Sequence, residues 1–139
     1  MAATSPETGG SALFVVNVDG SALRRLTDDR LNAARPDWSP DGSLIVFNSN
    51  DALDRIRDSE VYVIAPDGTD LRQLTDEANA AAIRPVWSPY GNWILFTHFA
   101  YPGDLTRSFD LYVMRADGAD HRWVTNTPDI AENAGDWTT

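Results

Sequence analysis

The sequence predicts an all-β chain of β-propeller blades, each of four antiparallel strands, about two and three-quarter blades in total. Three observations carry this reading. A set of landmarks recurs with one period, the stretches between them are short apolar runs of strand type, and no stretch makes a convincing amphipathic helix. Asp-Gly stands at 19–20, 67–68 and 117–118, and a Leu-Thr-like pair at Leu26-Thr27, Leu74-Thr75 and Val124-Thr125. The third landmark is Trp38, Trp87 and Trp137, and all three series step by 48 to 50 residues. A period in that range marks stacked supersecondary units.

The elements follow in order. Residues 1–10 (MAATSPETGG) have no periodicity and read as a disordered lead. The run 12–18 (ALFVVNV) is a strand, and LRRLT after the first Asp-Gly is a shorter one, which together make a half blade over 11–27. A full blade over 36–76 has a strand around Trp38, then SLIVFNS (43–49), EVYVIA (60–65) and LRQLT. A second full blade over 85–126 repeats it with Trp87, NWILFTHF (92–99), DLYVM (110–114) and HRWVT. The last strand, 135–139 (GDWTT), begins a further blade. The runs are apolar on both alternating faces, so each strand is expected to be covered on both sides. In Ser39-Pro40-Asp41-Gly42 the Pro presets φ and the Gly accepts positive φ, which suits a tight hairpin. The second copy, Ser88-Pro89-Tyr90-Gly91, replaces Asp by Tyr, so Asp41 reads as a turn residue and not as an acid or base. Asp19, Asp67 and Asp117 read the same way.

The segments RPDWSPDGSLIVF…EVYVIAPDGTDLRQLT and RPVWSPYGNWILF…DLYVMRADGADHRWVT resemble the WD-like repeats of TolB-type β-propellers, over residues 11 to 137. The resemblance implies a propeller scaffold and, in bacteria, a periplasmic setting in envelope complexes. It is specific for architecture and weak for activity. Similar propellers also cap serine peptidases of the prolyl oligopeptidase kind, which makes a gating fragment of such an enzyme the alternative to a non-catalytic binding module.

Composition sets limits. Hydrophobic residues make up 42% and charged residues 23% of the 139, a globular profile. The net charge is −10, and all eleven basic residues are Arg. Such a chain repels phosphate backbones, so nucleic acid is not expected as a partner. No lysine or cysteine chemistry is open to it. No run is long enough to insert in a membrane, and no signal peptide is written. The expected compartment is the cytoplasm if nothing precedes residue 1, and periplasmic or secreted if the chain is part of a longer family member.

In a meander the two short turns of each blade share one end, and the long loops (28–37, 48–60, 76–86, 97–109, 126–136) share the other. Function concentrates on such loops. Fourteen of the 21 acidic residues fall in or beside them, with six arginines, so that face is expected to suit a cationic protein or peptide. Binding candidates are Asp51, Asp54, Asp58, Asp104 and Arg107 in the loops, His98 and Tyr101 beside them, and Arg35 and Arg84 just before the innermost strands. Those two guanidiniums are placed to clamp a carboxylate at the channel mouth or to brace Asp37, Asp76 or Glu77. DALDRIRDSE (51–60) lacks the Gly and spacing of a calcium loop, and two separated histidines make no metal site. No cofactor, metal or catalytic constellation is expected. Closed propellers need at least four blades, which leaves three readings open: part of a longer ring, an open stack, or a homodimer closing the ring in trans. In the last, each shared blade would lack its second strand.

Overall fold

The computed structural model describes residues 1–7, 10–49, 59–76, 80–100, 108–125, 132 and 135–137. Blade 1 contains β1 (Ala2–Glu7), β2 (Gly10–Val15) and β3 (Arg24–Arg25). Blade 2 contains β4 (Ala33–Trp38), β5 (Ile45–Ser49), β6 (Glu60–Ile64) and β7 (Arg72–Gln73). Blade 3 contains β8 (Ala80–Trp87), β9 (Trp93–Ala100), β10 (Ser108–Arg115) and β11 (Arg122–Trp123). Each sheet is an antiparallel meander in chain order. A 3-10 turn, Asp29–Leu31, joins blades 1 and 2.

The repeated landmarks have repeated mechanical roles. The Thr of each Leu-Thr pair ties the outermost strand to its neighbour. Thr27, Thr75 and Thr125 each accept, through Oγ1, the backbone N–H of Leu13, Val61 and Leu111 at 2.8, 2.8 and 2.9 Å. A two-residue strand gains little from its own ladder, so this side-chain bond extends the pairing. The Asp of each Asp-Gly accepts the N–H two residues on, from Ser21, Thr69 and Ala119. This fixes the turn while the glycine takes φ near +85°, at +83°, +87° and +88°.

Blade 2 is covered on both faces. Ile45, Phe47 and Ile64 point toward Leu13 and Ala33 in one buried cluster. Val46, Val61 and Val63 point the other way, toward Ile94, Phe96 and Met114 of blade 3. The two-sided apolar runs of the sequence thus form two inter-blade layers.

Three boundaries differ from the sequence reading. The lead expected to be disordered over 1–10 holds β1, paired with β2 from Ala2↔Val15 to Glu7↔Gly10. Its small polar residues show no alternation, and Pro6 argues against a strand. An edge strand tolerates Pro, because one side of its backbone makes no ladder bonds. Blade 1 is therefore three-stranded. The innermost strands of blades 2 and 3 begin earlier than 36 and 85, at Ala33 and Ala80. At the C-terminal end, residues 135–137 make no ladder pairing, and 138 and 139 lie outside the described residues.

Candidate functional site

Arg35 and Arg84 do not precede the innermost strands; they sit inside β4 and β8, each at a bulge. The register slips between Ala34 and Asp37 in one blade and between Ile83 and Val86 in the other. At both places an Arg-Pro pair carries the slip, and the Arg is left-handed, with φ +53° at Arg35 and +55° at Arg84. For a side chain with a Cβ this conformation costs about 1–2 kcal/mol. The same cost borne at the same repeat position twice is the kind of backbone strain found at functional sites.

Neighbouring blades hold these bulges in place. Asn48 Oδ1 of blade 2 accepts the Arg84 N–H at 3.3 Å, while its Nδ2 donates to Ser59 Oγ at 3.2 Å. Asp37 Oδ2 accepts the Trp87 N–H across the blade interface at 2.8 Å. The Asp37 carboxylate thus braces a backbone group. Among the described residues neither Arg35 nor Arg84 makes an ion pair through its guanidinium. Arg35 is exposed and Arg84 half-buried. The arrangement presents two forked donors, one blade apart, from the innermost strands.

His98 is buried, its ring 4.5 Å from that of Tyr112 on the blade 2 side of β9. That places it in the inter-blade layer. Asp51, Asp54, Asp58, Tyr101, Asp104 and Arg107 lie outside the described residues. Among the described residues no three potential metal ligands cluster.

The short-turn end is chemically quieter. The Asp41 carboxylate accepts from Ser39 Oγ at 2.6 Å, Ser43 N at 3.0 Å and Ser43 Oγ at 2.8 Å. These bonds hold its pKa down to about 2, the Ser39 hydroxyl contributing most. A cleft of about 370 Å³ runs between this turn and Trp87, Tyr90 and Asn92.

One cluster escaped sequence reasoning. On the far face of blade 3 the guanidiniums of Arg115 and Arg122 lie 5.0 and 5.2 Å from the Trp93 ring centre. Asp120 accepts from Arg122 Nε at 2.9 Å, and that bond holds the carboxyl below its ordinary range. Repeat alignment carried the signal: Trp93 and Arg115 stand where blade 2 has Leu44 and Ala65.

Comparison with known proteins places this geometry. The family model for the TolB beta propeller domain matches residues 1–127. A TolB homolog of Chlorobaculum tepidum is 33% identical over 124 residues, which cover 85% of this chain and 25% of that protein. An uncharacterized peptidase of Bacillus subtilis is 40% identical over 91 residues, covering 66% of this chain and 11% of that one. Among solved structures, the putative TolB of Agrobacterium tumefaciens superposes with a TM-score of 0.75 at 22% identity. That match covers 89% of this chain and 44% of the other. The chain thus spans a quarter or less of these two curated relatives.

Proposed function

The chain belongs to the TolB beta propeller domain family, and from that premise we propose that it is a non-catalytic module that binds a protein or peptide. The observation that carries the reading is the pair of strained, repeat-equivalent arginines. Two forks held by bulges at one position of successive innermost strands suit a carboxylate of a bound chain. The chain's net charge of −10 would draw a segment that is cationic elsewhere. Recognition then rests on a backbone whose bulges are set before binding, which lowers the ordering cost of association.

The test is a peptide array of stated charge probed with the protein and with the Arg35→Ala/Arg84→Ala variant. The expected result is binding to net-positive peptides that carry a carboxylate, weakened by salt and lost in the variant at unchanged melting temperature. Equal binding by both proteins, or a lowered melting temperature with binding intact, would overturn the clamp. A second reading, a propeller gating a serine peptidase, draws support from the peptidase relative. It requires a hydrolase domain joined to or associated with this chain, which fluorophosphonate labelling of the purified native complex would reveal.

A further inference from the structure

The turns Ser39–Gly42 and Ser88–Gly91 join the first two strands of blades 2 and 3 and stand side by side. They pack directly, since a Cβ on Gly91 would lie 3.5 Å from Pro40 Cδ. The cleft of about 370 Å³ opens between them, with Leu44, Trp87 and Ala116 as its apolar lining. That volume is in the range of small-ligand sites, ~300–1,000 Å³. The two turns differ where they border the cleft: Asp41 and Ser43 in blade 2 become Tyr90 and Asn92 in blade 3. One wall therefore carries a carboxylate and the other a phenol and an amide. Two identical turns would not make this pair of walls.

The groups on these walls have capacity to spare. Asp41 Oδ1 accepts three hydrogen bonds, but Oδ2 accepts only from Ser43 Oγ, at 2.9 Å. Among the described residues Asp41 makes no ion pair, and no basic residue lines the cleft. Its charge is held by serine hydroxyls and a backbone N–H, without a counter-charge. Tyr90 is 87% exposed, so burial does not account for its ring. Asn92 is exposed, and its side-chain amide makes no hydrogen bond among the described residues.

We propose that this cleft receives an arginine side chain of a bound peptide. A guanidinium is planar and carries forked donors, so it can stack on the Tyr90 ring while donating to Asp41 Oδ2 and the Asn92 amide oxygen. Lysine matches only the charge. A divalent metal ion would find one carboxylate and one amide, too few oxygens for calcium. The cleft does not rest on the arginine clamp proposed above. That pair offers donors to a carboxylate, whereas this site offers acceptors to a cation.

The probe is the tripeptide Gly-Arg-Gly, acetylated and amidated so that it carries no carboxylate for the clamp to hold. In ¹⁵N–¹H correlation spectra it should cause saturable shifts at Gly42, Ser43, Tyr90 and Asn92, with a dissociation constant of about 1–10 mM. Asp41→Asn should weaken binding about tenfold, by loss of a charge-assisted hydrogen bond. Tyr90→Ser should weaken it about threefold while leaving the bonds of the turn in place. The second variant keeps the test open if the first is poorly folded. The same peptide with citrulline, neutral but of the same shape, should not bind. Absence of saturable shifts, shifts centred on residues 35 and 84, or unchanged affinity in both variants would overturn the proposal. A lysine peptide binding as tightly would reduce the effect to the chain's net charge and overturn it as well.

Discussion

The difference between Asp41 and Tyr90 makes the residue scale instructive. Both occupy the third position of a Ser-Pro-x-Gly turn, and both turns close with the same backbone bonds, Gly42 to Ser39 and Gly91 to Ser88, at 2.9 Å. The carboxylate is therefore an addition to a turn that Pro and Gly already make. Its effect is pH-dependent. A carboxyl held near 2 when folded and near 3.8 when free stabilises the fold above about pH 4, and that contribution is lost as pH falls through 2. Asp41→Asn should accordingly be less stable than the parent at neutral pH and should converge with it below pH 2, as urea titrations across the range would show. The sequence made this role readable because the repeat supplied its own control, a natural substitution at the equivalent place. Arg35 and Arg84 were less readable. Their repeat equivalence was plain, but Arg-Pro reads as a strand boundary, and only backbone geometry reveals a bulge within the strand.

Blade joins dominate at the scale of elements. Asp37 is a point of attachment between β4 and β8, and its removal leaves the Trp87 N–H without its acceptor in a half-buried place. Asp37→Ala should destabilise by about 1–3 kcal/mol, with Asp37→Asn recovering most of the loss because the amide oxygen still accepts. Denaturant midpoints for the three proteins decide it. A second join is steric. A Cβ on Gly118 would come within 3.1 Å of the Leu74 carbonyl oxygen, whereas one on Gly20 would meet nothing within 4 Å. Both glycines have positive φ, at +88° and +83°. Gly118→Ala should thus lower the melting temperature more than Gly20→Ala, the excess reporting the contact between blades. The strands at these joins were legible because apolar residues cover both of their faces. β1 was not, because its residues carry no such pattern and it forms by adding to the edge that β2 offers.

For the whole molecule, fold and architecture were readable from the period together with the short apolar runs, since a blade is a local unit and three landmarks locate it. The ends were harder, because what an end does depends on a neighbour that the repeat does not contain.

The bulge arginines carry one more consequence. Glycine is at ease with positive φ, so Arg35→Gly and Arg84→Gly each remove a local penalty of about 1 kcal/mol along with the guanidinium. A population of variants selected for heat resistance alone should therefore drift toward glycine at 35 and 84, while one selected for ligand capture should keep arginine there. The two pressures pull the same codons in opposite directions, and their outcome in the laboratory would tell which of them shaped this chain.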